Sequence, residues 1–296
     1  MKKVILYVMI SATLFSTMEV ALKIAGAGFD AFQLTFLRFT IGGLFLLPFA
    51  LKQIKKDSII ISRNDYFYLL LLGIVCIPVA MVFFQLGIIY SNAITAAVVF
   101  SINPVFTVFF THFITEEKLT GIKIVALITG LLGVIFMVTP WNIALGDSLI
   151  GASYSVLAAL LFGLYSALGR KTIKRLKGLP QTAISFLLGS AVMLPLLLVL
   201  GKPVVANITW NSIWLILYVG IMVTGVGYLA YFLAMEEGDA ITASFTFFIK
   251  PGLAPVFAIL ILNETVSIND IWGILLMLLA SYIIIRENKR KKFNGS

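Results

Sequence analysis

Ala93-Ile94-Thr95-Ala96-Ala97-Val98-Val99-Phe100-Ser101-Ile102-Asn103-Pro104 and Ala240-Ile241-Thr242-Ala243-Ser244-Phe245-Thr246-Phe247-Phe248-Ile249-Lys250-Pro251 are two copies of one stretch, 147 residues apart. Each begins Ala-Ile-Thr-Ala, and Phe100, Ile102 and Pro104 fall on Phe247, Ile249 and Pro251. The same shift, with no gap, sets Glu117 on Glu264, Phe15 on Phe162, Gly42 on Gly189, Pro48 on Pro195 and Gly73 on Gly220. Apolar residues match one another by chance in any two apolar segments. Pro, Gly and Glu falling into one register do not, so the chain reads as an internal duplication.

What is duplicated follows from composition. Of 296 residues 60% are hydrophobic and 12% charged, against about 25% charged in an average soluble domain. That leaves too little polar surface to cover a water-exposed globule. The apolar residues come in runs of about 20, the length a helix needs to cross a hydrocarbon core roughly 30 Å thick. Ten such spans are expected, approximately Val4–Leu22, Phe32–Leu51, Tyr66–Ile89, Ala93–Thr115, Gly121–Val138, Leu149–Leu168, Gln181–Leu200, Ser212–Ala234, Ala240–Leu262 and Ile271–Ile285. Inside lipid each backbone donor and acceptor must be satisfied within the segment, which makes these runs helices. The expected fold is an all-α integral membrane protein with five helices per half, residues 1–144 and 145–290, and a polar tail at 291–296. Five is odd, so the second half enters the membrane the opposite way round. That is the inverted-repeat plan of secondary transporters, in which a site between two halves is exposed to one face and then the other.

The charges fix an orientation. Lys2 and Lys3, then Lys52, Lys55, Lys56 and Arg63, then Lys118 and Lys123, then Arg170, Lys171, Lys174, Arg175 and Lys177, and finally Arg286, Lys289, Arg290, Lys291 and Lys292 occupy alternate loops, while the loops between hold only Lys23 and Lys202. Both termini are therefore expected in the cytoplasm. The loop with Glu236, Glu237 and Asp239 carries no base, and acidic residues contribute little to orientation. This placement also explains the net charge of +9 without a nucleic-acid partner. Met1-Lys2-Lys3 before an apolar run resembles a signal peptide, but Glu19 stands where small residues would mark cleavage, so an uncleaved first helix is expected. Cys76 and His112 are each the single residue of their kind. That removes disulfide frameworks, thiolate clusters and multi-histidine metal sites, and no cofactor is expected.

Ile94-Thr95-Ala96-Ala97, Asn103-Pro104-Val105-Phe106, Glu117-Lys118-Leu119 and Gly130-Leu131-Leu132-Gly133 in the first half, Ala240-Ile241-Thr242-Ala243, Lys250-Pro251 and Glu264 in the second, and Phe36-Leu37-Arg38-Phe39 ahead of Pro48 together resemble the EamA domain of the drug/metabolite transporter superfamily. The resemblance covers nearly the whole chain. It implies export of small metabolites, often amino acids or related amphipathic compounds, across the cell membrane of a prokaryote, driven by an ion gradient. Many members have Trp-Gly near the place where this chain reads Phe15-Ser16-Thr17-Met18-Glu19, so a generic family mechanism does not carry over to that helix.

Ionisable groups inside spans cost about 2.5–3.5 kcal/mol each on insertion scales and face an interior rather than lipid. Glu19 reads two ways. A carboxylate in a partly dry cavity can exchange a proton near neutral pH and so couple proton flow to transport, or bind a substrate amine; alternatively it pairs with Lys23 at i+4, or with Arg38, to hold the bundle together. Lys250 stands before Pro251, as its mate Asn103 stands before Pro104. A proline frees a carbonyl one turn back, so both helices are expected to kink, and interrupted helices at matching depths point to a substrate site. Lys250 there either holds a carboxylate or neutralises Glu19. Arg38 reads foremost as a fixed bidentate or carbonyl network, with substrate contact as the alternative.

Phe100, Phe247, Tyr165 and Tyr228, with Phe84, Tyr90 and Tyr231, line an apolar cavity or simply pack. His112 lies close to a helix end and reads as solvated, and Glu117 and Glu264 as favouring the dipole of the helix that follows each. Gly225-Val226-Gly227 begins a dinucleotide-like string, but inside a span close packing is the better account. An intramembrane enzyme would need a metal cluster or a nucleophile with its base, and neither is present. Nothing resembles a selectivity filter, and a scaffold has no need of buried Glu19 and Lys250. The expected partners are a small-molecule substrate, the bilayer and a proton, in a monomer or homodimer. An importer or exchanger of small organic solutes on the same plan is the nearest alternative.

Overall fold

The computed structural model describes residues 2–114, 121–138, 146–237 and 240–294. Among them every regular element is helical. In chain order these are α1 (Lys2–Gly26), α2 (Ala31–Lys56), α3 (Arg63–Ile74), a π-helical stretch (Val75–Met81), α4 (Val82–Tyr90), α5 (Ala93–Phe100), α6 (Asn103–Ile114) and α7 (Gly121–Val138). There follow α8 (Gly146–Leu176), α9 (Gly178–Val199), α10 (Trp210–Leu217), a second π-helical stretch (Tyr218–Gly227), α11 (Tyr228–Glu237), α12 (Ala240–Leu262) and α13 (Ile268–Asn294).

The duplication is visible in where helices start. Residues 31, 63, 93 and 121 begin helices in the first half, and 178, 210, 240 and 268 begin their counterparts, each 147 further on. Local chemistry repeats with them. Ser62 and Asp65 form a capping box at the start of α3, and Thr209 and Ser212 form one at the start of α10, at the same offset. Each box satisfies two backbone donors that a helix start leaves open.

Seven helices among the described residues are long and apolar enough to cross a membrane: Lys3–Gly26, Ala31–Lys56, Arg63–Tyr90, Ala93–Ile114, Leu149–Leu176, Gly178–Val199 and Trp210–Glu237. The other three expected spans are helices too, but their apolar stretches, Ile124–Gly133, Ile249–Leu262 and Ile268–Ala280, are shorter. Among the described residues the count by length and apolarity is therefore seven, with these three shorter helices at the remaining expected spans.

Packing repeats as well. α2 runs along its own counterpart α9, and α7 along α13; α1 lies against α12, while the counterpart of α1, α8, lies against α5 and α6. Segments that touch their own copies sit on an axis of approximate two-fold symmetry. Glycines mark the close approaches there. A Cβ on Gly42 would stand 2.9 Å from the Gly220 carbonyl oxygen, and its counterpart on Gly189 would stand 2.5 Å from that of Gly73. These are one contact made twice, and only a residue without a Cβ fits it.

The ends of the bundle are tied by polar groups. At one end Lys202 Nζ bonds Asp30 at 2.9 Å, Lys23 Nζ donates to the carbonyls of Ile88 and Ser91 at 2.8 and 2.6 Å, and the Glu264 carboxylate accepts from the amides of Ala93 and Ile94 at 2.8 and 3.0 Å. At the other, Arg175 pairs with Asp65, and Glu236 takes the Gly178 amide at 2.6 Å and Lys177 at 3.3 Å. Glu264 departs from expectation. Ser267 and Asp270 already cap α13 reciprocally, so Glu264 caps α5 of the other half instead. Its mate Glu117, with Lys118, lies outside the described residues, as does Asp239.

Candidate functional site

Between these ends lies a closed core. α1 carries Glu19, α12 carries Lys250, and the two form an ion pair with side chains 1% and 0% exposed. One partner comes from each half. Neither Lys23 nor Arg38 takes the carboxylate, as one reading of the sequence had it. Lys23 lies nearer the helix end and extends to the carbonyls that close α4, where its charge meets the negative end of a helix. Lys250 Nζ also lies over two aromatic faces, 4.8 Å from the Phe100 centroid and 5.5 Å from that of Phe84. With water excluded, each charge depends on the other, and removing one strands its partner.

Arg38 is completely buried on α2. Its Nη1 points to the Met18 sulfur at 3.8 Å, its Cζ lies 4.5 Å from the Phe39 ring centroid, and Nε and Nη2 have no hydrogen-bond partner. The bidentate or carbonyl network expected for a structural arginine is not what holds it. Asn103, also fully buried, donates Nδ2 to the Phe100 carbonyl at 2.9 Å while its Oδ1 accepts nothing.

The prolines behave differently in the two halves. Helical structure breaks at Ser101–Ile102 and restarts as α6 at Asn103–Pro104, whereas α12 continues as one helix through Pro251 and Pro255. Proline at the start of a helix has no donor to lose. Pro251, in mid-helix, leaves the carbonyl of Phe247 without its usual donor. Lys250 therefore rides on an unbroken rod, and Asn103 on a joint.

Around the charges sits a continuous aromatic shell. Phe15 lies 5.0 Å from Tyr228 and 5.8 Å from Phe247; Phe162 lies 5.3 Å from Phe100, 5.5 Å from Phe247 and 5.6 Å from Tyr165. Tyr228 turns its hydroxyl to the Met81 sulfur at 3.1 Å. Phe39 and Phe186, 4.7 Å apart, and Phe100 and Phe247, 6.1 Å apart, are repeat mates that touch. Of the expected aromatics Phe84, Phe100, Tyr165, Tyr228, Tyr231 and Phe247 are buried here, and Tyr90 is not, being 42% exposed. His112 lies on α6 with its ring 5.0 Å from Phe113. In the second π-helical stretch a Cβ on Gly227 would approach Phe15 Cε1 to 3.0 Å, which accounts for Gly225-Val226-Gly227 by packing.

Several of these residues carried no sequence signal of their own. Phe15 and Phe162 matched as repeat mates, which marked them as related but gave no sign that they enclose Lys250 and Glu19. Met18 and Met81 meet the two polar tips of the core, and thioethers leave no trace in a hydropathy pattern. The π-helical stretches overlap one another for most of their length when shifted by 147 residues. Such stretches cluster at functional sites; here each packs on the first two helices of the opposite half. Pro78 signals the first, and the second has only its glycines.

Residues 2–139 match the EamA-like transporter family, and residues 149–286 match it again. An uncharacterized transporter of Clostridium kluyveri is 39% identical over 296 residues, covering 98% of this chain and 95% of the relative. The S-adenosylmethionine uptake transporter of Rickettsia prowazekii is 24% identical, over 97% of this chain and 93% of its own. A crystal structure of a protein 18% identical superposes with a TM-score of 0.69, covering 96% of this chain and 97% of the other, and so shares the fold. Matched in both halves and over its whole length, this multi-pass membrane protein belongs to the EamA-like transporter family of the drug/metabolite transporter type.

Proposed function

We propose that the protein is a secondary active transporter that exports small carboxylate-bearing metabolites, amino acids or related amphipathic compounds, by alternating access with proton coupling. It does so from ten transmembrane helices in two inverted repeats, residues 1–144 and 145–290, in the cell membrane with both termini in the cytoplasm. The observation that carries the reading is the buried Glu19–Lys250 pair, one member from each repeat, in a core closed at both ends. A charge pair shared by two halves must part or re-form when the halves rock. That is where a cargo or a proton can intervene.

The end contacts support the inverted arrangement. Asp30, Lys23, Ser91, Lys202 and Glu264 meet at one end, and Asp65, Arg175, Lys177 and Glu236 at the other. A chain that crosses ten times brings these same loops to these same sides. The second end is also the side of the strongly basic loops, which are cytoplasmic by the positive-inside rule.

In the cycle Glu19 accepts a proton, the pair with Lys250 is lost, and the halves reorient around Glu19, Arg38, Asn103, Lys250 and the aromatic shell of Phe100, Phe247, Tyr165 and Tyr228. Pro104, at the break between α5 and α6, supplies the joint, and Pro251 lies in the unbroken helix that carries Lys250. The site is complete within one chain, so a monomer suffices and a homodimer would hold two sites. Counterflow in proteoliposomes tests the reading. Purified protein exchanges labelled for unlabelled solute saturably within one chemical class, and a pH gradient accelerates it in wild type but not in Glu19→Gln. Absence of exchange by folded protein across a broad panel of metabolites would sink the proposal. Uptake is the second reading, favoured by the name of the Rickettsia relative; the sidedness of gradient-driven flux separates it from export.

A further inference from the structure

The described core holds an uneven number of charges. Of the charged side chains that are buried, Asp65 pairs with Arg175 at one end of the bundle, and Asp270 caps the start of α13. That leaves Glu19, Arg38 and Lys250 in the middle. Glu19 and Lys250 cancel. Arg38 lies within coulombic reach of both and is cancelled by neither, being a second cation beside a pair already closed. A guanidinium presents five donors in a rigid fork. This one offers Nη1 to a sulfur and has the Tyr228 hydroxyl beside it, yet Nε and Nη2, the edge that grips a carboxylate side-on, make no well-formed hydrogen bond in a fully buried place.

We infer that the cargo of this carrier bears one net negative charge, a monocarboxylate with an apolar body and no free ammonium, and that Arg38 takes its carboxylate. The inference rests on the transporter reading above and is independent of direction. Charge-assisted fork-to-fork bonding makes arginine the natural carboxylate ligand where lysine acts only as a point charge. Lys250, the more obvious anchor from sequence, is already engaged, and so is Glu19, the one mid-core acid among the described residues that would receive an ammonium. A zwitterion would have to open that pair and would still leave Arg38 uncompensated. A cation would add to the surplus. A monoanion neutralises it while the pair is closed, ahead of the protonation of Glu19 that opens the pair. Phe39, over which the guanidinium lies, and Phe15, Phe84, Phe100 and Phe247 around the pair offer an apolar body aromatic faces on several sides.

Three solutes with one body and three charges decide the matter: phenylpyruvate, phenylalanine and phenethylamine. Full-length protein is reconstituted, and counterflow of each labelled compound against its unlabelled form is followed at equal concentrations. Phenylpyruvate is expected to exchange at least about tenfold faster than phenylalanine, a ratio that one added ionic contact supplies, and phenethylamine at background. In Arg38→Gln the ratio falls to about one, and Arg38→Lys keeps the anion preference at a reduced rate. Equal or faster exchange of phenylalanine or phenethylamine overturns the inference, as does an Arg38→Gln protein that keeps the wild-type ratio. If none of the three moves while another metabolite exchanges, the charge assignment falls and the carrier stands. If no metabolite exchanges at all, both fall. Should Arg38→Gln fail to elute as a folded species, the wild-type ratio and the behaviour of Arg38→Lys still decide between these outcomes.

Discussion

Glu19 and Lys250 stand where neither can be solvated, and a stability experiment shows this more directly than flux does. Breaking a buried pair by removing one partner costs about 3–5 kcal/mol, because the survivor is left charged and alone. Removing both costs much less. Glu19→Gln and Lys250→Met are each expected to lower the thermal midpoint in detergent sharply, and the double variant to recover most of the loss; additive losses would mean the pair is not formed. Transport should fail in all three, which separates the folding role from the functional one. The sequence carried Glu19, Lys250, Arg38 and Asn103 plainly, because an ionisable or amide group within an apolar run has few reasons to be there. It left open who pairs with whom. Lys23 at i+4 was as good a partner for Glu19 on paper as Lys250, which is distant along the chain, and only tertiary packing chooses between them.

At the scale of helices, the closest approaches make the sharpest expectations. Gly73→Val and Gly189→Val push side chains into backbone that has nowhere to go, and overpacking of this kind typically costs about 1–3 kcal/mol. Gly121→Val, with nothing within 4 Å of the added Cβ, is the control and should unfold with wild type. Glu264→Ala removes the acceptor from two amides at the start of α5; losses of about 1 kcal/mol are usual for helix caps. Because this cap reaches across the halves, the variant should also make a cysteine placed at Ser91 react faster with a membrane-impermeant maleimide. An unchanged rate would mean the contact closes nothing. Helix starts were legible to within three residues, and to the residue at Ala93, Gly121 and Ala240. The π-helical stretches were not. Hydropathy averages over a turn and is blind to whether that turn holds 3.6 or more residues.

For the whole molecule the repeat settled more than composition did. Composition reveals a membrane protein; the gapless offset of 147 residues adds that two equal halves pack about a common axis, and α2 on α9 and α7 on α13 are the contacts it implies. What the offset does not convey is asymmetry. Lys250 is the mate of Asn103, and Glu19 that of Ser166, so the copy of the charged pair is an uncharged one. The buried ion pair occupies one of two equivalent places. Topology is checked by reporter fusions. A fluorescent protein that folds only in the cytoplasm should light at the C-terminus and in the loop after α2, and stay dark in the loop after α9. Light in that last loop would refute the orientation.

The pairing of Glu19 with Lys250 also bears on how the chain is made. Glu19 enters the membrane with the first helix, and its partner is translated about 230 residues later. At ordinary elongation rates that is a wait of roughly 10–50 s. Throughout it the nascent first half holds an acid and an arginine in lipid without the lysine that completes the set. A polypeptide that stops before α12 never acquires it. Synthesis must therefore reach the last two helices before Glu19 can acquire the partner it has in the folded protein.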